Sequence, residues 1–170
     1  MKNLIYMATK LSLVLALLSL TACGGGGGGT TTPPVTQQQA VVSMALTGGA
    51  DTIGSLQFDL VLPAGFSLAT DTQGNLDSGV LTVAISGSSV DSLYLPEDNQ
   101  NFGQLTLGMA KASGFSPGLF ATLIHDMVSG ESLPLSTDFS VNSLLVSDLN
   151  GVPLTGYSLA LTLQQRTVTP

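Results

Sequence analysis

The chain has 170 residues, of which 44% are hydrophobic and only 9% are charged. This length favours one domain, and the apolar content is high enough to form a hydrophobic core. Without its first 22 residues the chain keeps two basic residues, Lys111 and Arg166, against 11 acidic ones, so its net charge is 2 − 11 = −9. A chain with so few cations cannot neutralise phosphates, which argues against nucleic acid as a partner.

Residues 1–22 have the features of a secretory signal peptide. Lys2 and Lys10 precede the apolar run 11–20, which is too short to span a bilayer. The run ends in Leu20-Thr21-Ala22-Cys23, which resembles the lipobox of bacterial lipoproteins. That resemblance implies cleavage before Cys23 and acylation of its thiol and its new amino group. An ordinary signal peptide followed by an unrelated cysteine is the alternative.

The same N-terminal pattern predicts where the protein is located. Cys23 is the only cysteine, so no disulfide can form within one chain and the core must supply the stability. Two or more acyl chains on Cys23 are enough for stable membrane anchoring. Gly24 follows, and in Gram-negative lipoproteins a residue other than Asp there implies the outer membrane. We therefore predict an exported protein that is lipid-anchored to the cell envelope, with the outer membrane favoured.

Residues 23–39 are predicted to form the lipidated cysteine and a flexible tether. Six consecutive glycines, at 24–29, precede a stretch rich in Thr, Pro and Gln that ends at Gln39. The segment has almost no apolar content and no periodicity, which is typical of a linker. The folded domain is predicted to occupy residues 40–170.

Alternating apolar residues predict β-strands through the rest of the chain. An apolar side chain at every second position is typical of a strand with one buried face, and it recurs in the segments 56–62, 81–85, 105–109 and 157–163. Fuller apolar runs at 41–46 and 119–128 predict strands that are covered on more of their surface. In the segment 139–146 the alternation slips by one near Asn142-Ser143, which predicts a β-bulge.

Turn signals separate these segments, and they set the fold class. Asn150-Gly151 is a candidate for a tight hairpin turn, because both residue types tolerate a positive φ. No window of eleven or more residues in the domain keeps the helical period of 3.6. Eight or nine short strands with turns between them predict an all-β protein, a β-sandwich of two packed sheets.

Three stretches carry a resemblance to a known family. They are a glycine-led alternating strand at 53–63, a glycine followed by an apolar strand at 116–123, and an Asp-x-x-Gly type of turn at 146–151. With them, the segment 40–163 resembles the cohesin domains of bacterial extracellular proteins. Those domains belong to a wider group of β-sandwiches that are similar to carbohydrate-binding modules. The resemblance implies a nine-stranded jelly roll whose first and last strands are adjacent.

The resemblance also implies a function in protein binding. Cohesins bind dockerins, which are calcium-loaded modules, on one sheet face, so a dockerin-like protein is the most concrete partner. Ser55, Gln57 and Asp59, on the exposed side of the strand in 53–63, form the candidate interaction face. The alternative interpretation of these residues is an ordinary solvated strand face.

Catalytic and zinc chemistry find little support in the residues. The segment 114–118 matches the G-x-S-x-G pattern of a nucleophile elbow, but Pro117 lacks the N–H that the oxyanion hole needs. His125, the only histidine, is expected at the surface or at a sheet edge. A zinc site cannot be formed from one histidine and one lipidated cysteine. We therefore predict no catalytic residues and no enzymatic activity.

No metal site and no cofactor are predicted, and the acidic turns are interpreted as ordinary polar turns, with calcium and polysaccharide as alternative ligands. The turn at 97–101 and the pair Asp148 and Asn150 offer oxygen atoms, although neither has EF-hand spacing. Sugar sites favour large aromatic faces, and Tyr94 is the candidate contact in a chain without Trp. The predicted function is thus a lipid-anchored protein-binding module. A carbohydrate-binding module, and a structural envelope lipoprotein that self-associates through an edge strand, are the alternatives.

Overall fold

A computed structural model describes residues 36–169 of the protein, and β-strands dominate this part of the chain. The predicted signal peptide, Cys23 and nearly all of the tether lie outside the described residues. No helix within 36–169 has the length and apolar character needed to cross a membrane. The elements are β1 (Gln37–Thr47), β2 (Ile53–Val61), β3 (Leu81–Val83), β4 (Ser89–Leu95), β5 (Gln104–Phe115), β6 (Gly118–Met127), a 3-10 helix (Ser136–Asp138), β7 (Ser140–Ser147), β8 (Pro153–Leu154) and β9 (Ser158–Val168).

The strands form two antiparallel sheets. One has four strands in the order β3-β6-β1-β9, and the other has five in the order β4-β5-β2-β7-β8. The predicted two-sheet β-sandwich of about nine strands is therefore confirmed. β1 and β9 are neighbours over their whole length, from Gln37 opposite Val168 to Thr47 opposite Ser158. The first and last long strands are thus adjacent, as the family resemblance implies.

The hydrophobic core lies between the two sheets and is filled by alternate residues of their strands. Leu56, Phe58 and Leu60 of β2 are fully or almost fully buried, and they alternate with the more exposed residues of the same strand. Phe58 meets Phe120 of β6 edge to face, with ring centroids 5.8 Å apart. This side-chain period of two leaves the other face of each sheet available to solvent.

The folded domain begins earlier than the sequence pattern indicates. The predicted tether ends at Gln39, whereas β1 begins at Gln37. Gln38 accepts a hydrogen bond from Gln165 of β9 at 3.0 Å, and Gln39 accepts one from Arg166 at 2.6 Å. Polar residues are tolerated here because the start of β1 is not covered by the core. In sequence, this run of glutamines therefore resembles a linker.

The predicted bulge and hairpin are both present. Between the pairs Gln57–Leu145 and Asp59–Asn142, β7 contains one more residue than β2, and Ser143 has a φ of 54°. The hairpin from β7 to β8 turns at Asn150-Gly151, where Gly151 has a φ of 77°. The segment 81–85 forms a shorter strand than predicted, and β4 falls in a segment for which no strand was predicted.

Candidate binding face

The three candidate residues Ser55, Gln57 and Asp59 lie on the outer face of the five-stranded sheet. They belong to β2, the middle strand, and they alternate with residues of the core. The structure thus brings them together on one solvent-facing surface, flanked by β5 on one side and β7 on the other. We call the outward-facing residues of β4, β5, β2 and β7 the outer face of this sheet.

Strand register defines two neighbouring rows of side chains on this outer face. Paired residues of adjacent strands lie side by side and project to the same side of a sheet. The first row consists of Asp91, Gly108, Gln57 and Leu145, and the second consists of Leu93, Thr106, Asp59 and Asn142. Each row therefore places a leucine at one margin and polar groups nearer the middle.

A shallow depression of about 370 Å³ lies around the first row. Gly108 forms part of its lining, together with Gln57, Asp91, Ala110 and Leu145. A methyl group added at Gly108 would have the Asp91 carbonyl oxygen, 3.9 Å away, as its nearest neighbour, so the glycine leaves real space above the sheet. The small residues at this point in β5 therefore make the otherwise flat surface concave.

The outer face carries three exposed leucines, of which Leu145 lines the depression and Leu93 and Leu95 lie further along β4. Leu93 and Leu95 of β4 are 57% and 51% exposed, and Leu145 of β7 is 59% exposed. Among the described strands of the four-stranded sheet, one large apolar residue is similarly exposed. It is Leu119, at the start of β6. The two sheets thus differ in character, and apolar surface is concentrated on the outer face of the five-stranded sheet.

The charged groups of the two rows are the carboxylates of Asp59 and Asp91. Asp59 accepts a hydrogen bond from the Thr106 hydroxyl at 2.6 Å, which fixes its position in the second row. Asp91 is exposed beside the depression. The residues that form the two rows include no Lys or Arg, so this surface combines leucines with negative charge.

Tyr94 does not have the position that a sugar-stacking residue requires. Its side chain is only 6% exposed and belongs to the core. Its hydroxyl accepts a hydrogen bond from the backbone N–H of Leu68 at 3.2 Å. The prediction that Tyr94 offers an open aromatic face is therefore corrected, since β4 directs Tyr94 inward and its neighbours Leu93 and Leu95 outward.

His125 is a buried residue, which corrects the expectation of a surface or edge position. It is 4% exposed, and its Nε2 lies 2.7 Å from Glu131 Oε1. Its Nδ1 hydrogen-bonds the Ser67 carbonyl oxygen, and its ring stacks on Phe66 with centroids 4.3 Å apart. Both ring nitrogens are therefore used to hold loops against β6.

Ser116, of the G-x-S-x-G match, lies in the tight turn between β5 and β6 instead of a strand-to-helix elbow.

The oxygen-rich turns use their carboxylates internally. In the turn at 97–101, the Asp98 carboxylate accepts hydrogen bonds from the backbone N–H groups of Gln100 and Asn101, each at 2.8 Å. Asp148 accepts from the N–H groups of Asn150 and Val152, also at 2.8 Å. Within residues 36–169 no group of three or more His, Cys, Asp or Glu side chains is arranged to hold a metal ion.

These hydrogen bonds favour the ionised carboxylates. The backbone N–H of Gln100 and then the Asn101 side chain lower the pKa of Asp98 below its ordinary value of 3.8, and the N–H of Val152 does most to lower the pKa of Asp148. The pKa of Asp71 is lowered in the same way, first by the Asn75 side chain and then by backbone N–H groups. The three aspartates therefore stabilise turns.

A second cleft, of about 470 Å³, lies on the other side of the molecule. It is lined partly by the loops at 67–69 and 77–80, and it includes the carboxylates of Asp77 and Asp126. Asp126 already accepts a hydrogen bond from the Gln39 amide at 2.7 Å. The cleft is thus a polar gap between loops and β1, and it lacks the exposed leucines of the outer face.

Comparison with known proteins identifies a structural similarity. No protein-family model and no curated protein sequence matches the chain. Among solved structures, the fold is similar to a non-cellulosomal cohesin from the hyperthermophilic archaeon Archaeoglobus fulgidus. The match has a TM-score of 0.40 and 19% sequence identity, and it covers 70% of this chain and 75% of the other.

Proposed function

We propose that the protein is a lipid-anchored binding module of the cell envelope, which holds a protein partner on the outer face of its five-stranded sheet. The observation that carries this proposal is the set of three exposed leucines on this face, Leu93 and Leu95 of β4 and Leu145 at the depression. Exposed apolar residues combined with polar groups on one surface are typical of protein interfaces. The outer face of the four-stranded sheet lacks such a cluster within the described strands.

The charge of the outer face indicates the chemistry of the partner. Asp59 and Asp91 lie among the leucines, and the chain from Cys23 onward has a net charge of 2 − 11 = −9. Such a surface attracts a partner that presents basic and apolar groups together, and charge complementarity raises the rate of association. A flat sheet with one shallow depression has the shape to contact the surface of a folded protein, with a partner side chain entering the depression.

A dockerin-type module is the partner that the sequence resemblance implies. In that case the calcium ions belong to the partner, and binding depends on calcium even when this chain holds none. The predicted tether and the acylated Cys23 keep the module at the membrane while allowing it to reach partners at the envelope surface. The work of the protein is therefore binding and not catalysis.

The first experiment captures the partner and then locates it. The chain from Gly24 to Pro170, which retains every described strand, serves as bait for envelope and secreted fractions, with calcium and with chelator. A protein retained only with calcium is the expected result. The captured protein is then titrated against Leu145→Asp, on the outer face, and against the matched control Leu119→Asp, on the four-stranded sheet.

The variants decide whether the outer face is the binding surface. We expect Leu145→Asp to weaken binding by about thirtyfold, which corresponds to a loss of about 2 kcal/mol, while Leu119→Asp binds as the unsubstituted chain does. Equal effects of the two substitutions would contradict the proposed face. An empty pull-down in both buffers, together with retention on polysaccharide, would replace the protein partner by a carbohydrate.

Anchoring has a separate test that does not involve the partner. Cys23→Ser removes the thiol that would be acylated, whereas Ser19→Ala alters a neighbouring residue and leaves Cys23 in place. We expect the unsubstituted chain and the control to separate into the detergent phase and the Cys23→Ser chain to stay in the aqueous phase. A detergent-phase Cys23→Ser chain would show that Cys23 is not the anchor.

A further inference from the structure

We infer that two copies of this chain pair through the free edge of β9, which joins their four-stranded sheets into one continuous sheet. β9 (Ser158–Val168) is hydrogen-bonded to β1 along one edge, and within residues 36–169 no strand pairs with its other edge. The backbone N–H and C=O groups on such an edge are a template for another strand. This interaction uses a surface different from the proposed partner-binding face.

The four sheet edges of the domain differ in how well they are protected. β3 and β8 have three and two residues, and β8 begins with Pro153, so neither can accept a long strand. β4 has seven residues with Asp91 near its middle. β9 is eleven residues long, contains no proline, and pairs with β1 without any register shift. It is therefore the long, regular edge on which strand addition is favoured.

Partly buried leucines at this edge favour a second copy of the same chain. Leu159, Leu161 and Leu163 pack against the core and remain only partly covered, because no further strand flanks them. In an antiparallel pair centred on Leu161, Leu159 of one copy lies opposite Leu163 of the other, and Leu161 lies opposite itself. The leucine row is thus self-complementary, as a two-fold interface requires, and pairing buries more of each leucine.

The distribution of charge also permits the β9 edges of two copies to approach each other. The chain from Cys23 onward carries a net charge of −9, so most pairs of its surfaces repel each other. Asp148 is the last acidic residue in the sequence, and the only charged residue of β9 is Arg166. β7, of the other sheet, and the 3-10 helix, which contains Asp138, also contact β9, and alternate residues of β9 such as Ala160 and Thr162 remain exposed.

The proposed register makes a specific prediction about charges placed on β9. With Leu161 at the two-fold axis, Ala160 of each copy lies opposite Thr162 of the other. The double variant Ala160→Asp/Thr162→Asp would place carboxylates opposite carboxylates at both positions. The variant Ala160→Lys/Thr162→Asp would instead place an ammonium group opposite each carboxylate. Ser140→Asp/Asn142→Asp, on exposed positions of β7, is the matched control for added negative charge.

Sedimentation of the chain from Gly24 to Pro170 over a range of concentrations tests the inference. We expect the mass of the unsubstituted chain and of the β7 control to double as concentration rises. The Ala160→Asp/Thr162→Asp chain should remain a monomer, with its fold checked by circular dichroism, and the Ala160→Lys/Thr162→Asp chain should regain the doubled mass. Amide hydrogen exchange should slow at alternate residues of β9 only in the dimer.

Three results would overturn the inference. The unsubstituted chain could remain a monomer at every concentration, which would show that the edge does not pair. The Ala160→Asp/Thr162→Asp chain could dimerise as well as the unsubstituted chain, which would place the contact elsewhere. The Ala160→Lys/Thr162→Asp chain could fail to recover while folded, which would contradict the register centred on Leu161. None of these results bears on partner binding at Leu145.

Discussion

A methyl group on Gly54 would lie 2.3 Å from the carbonyl oxygen of Asp148, so the backbones of β2 and of the turn after β7 touch at this point. The contact joins two of the stretches that carry the family resemblance, one at 53–63 and the other at 146–151. The φ of Gly54 lies outside the left-handed region, so other residues could adopt this backbone conformation. Glycine is needed at position 54 because a side chain would collide with the neighbouring backbone. The two stretches therefore share a structural reason for their composition.

Replacing Gly54 by alanine should consequently destabilise the domain. The added methyl group meets backbone atoms that cannot move aside as a flexible side chain would, and we expect a loss of about 3 kcal/mol in the free energy of unfolding. Chemical denaturation measures this loss. Gly108→Ala is the control, since its methyl group has 3.9 Å to its nearest neighbour. If Gly54→Ala and Gly108→Ala unfold at the same denaturant concentration, the close contact does not matter.

Much of the fold can be predicted from the sequence because most strands bury one face. In β2 the alternation of Leu56, Phe58 and Leu60 with polar residues directly reflects the two environments. The bulge in β7 is visible for the same reason, since an extra residue at Ser143 moves the apolar side chains to the other phase. The adjacency of β1 and β9 follows from no local pattern, and it came from the family resemblance.

The proposed binding face is harder to predict because its leucines lie on the solvent side of their strands. β4 buries Tyr94 but also has Leu93 and Leu95 exposed to solvent, so apolar residues occupy both sides of the strand and the pattern of period two does not predict it. Apolar residues on the outer side of an edge strand are a sign of an interaction surface. His125 had a usable signal, since it shares the phase of buried Leu123 and Met127 in β6.

His125 should be important for stability and not for binding. Its imidazole is buried and joins the Glu131 carboxylate to the Ser67 carbonyl oxygen. His125→Ala leaves both groups without this partner and creates a cavity beside Phe66, so we expect a loss of about 3 kcal/mol in the free energy of unfolding. Affinity for the captured partner, measured where the variant is still folded, should not change. Weakened binding with unchanged stability would instead assign His125 to a functional site.

The turn at Asp148 should make stability depend on pH in the acidic range. The N–H of Val152, and next that of Asn150, lower the folded-state pKa of Asp148 below 3.8. The ionised carboxylate therefore stabilises the folded state above about pH 4, and this stabilisation disappears as the pH falls through the folded-state pKa. Asp148→Asn should unfold more easily than the unsubstituted chain at about pH 7, and the difference should shrink at about pH 3. Urea denaturation at both pH values measures it, and a constant difference would contradict the prediction.

Filling the depression on the outer face tests the shape of the proposed binding surface separately from its charge and apolar character. Gly108 lies between Asp91 and Gln57, and its nearest obstacle is 3.9 Å from an added methyl group. Gly108→Phe should therefore fold while occupying the space that a partner side chain would enter. We expect the affinity for the captured partner to fall about tenfold or more, with an unfolding midpoint close to that of the unsubstituted chain.

A matched substitution distinguishes a filled depression from a bulky residue placed anywhere on a sheet. Thr122→Phe adds the same ring to the outer side of β6, in the four-stranded sheet, where Thr122 lies opposite Ser43 of β1. Calorimetric titration of the two variants with the same partner makes the comparison. If only Gly108→Phe loses affinity, the partner lies over the depression. In that variant the Phe ring occupies the space that a partner side chain would enter, whereas the ring of Thr122→Phe does not. Unchanged affinity in Gly108→Phe would show that the partner does not enter the depression and would leave the leucines as its contact.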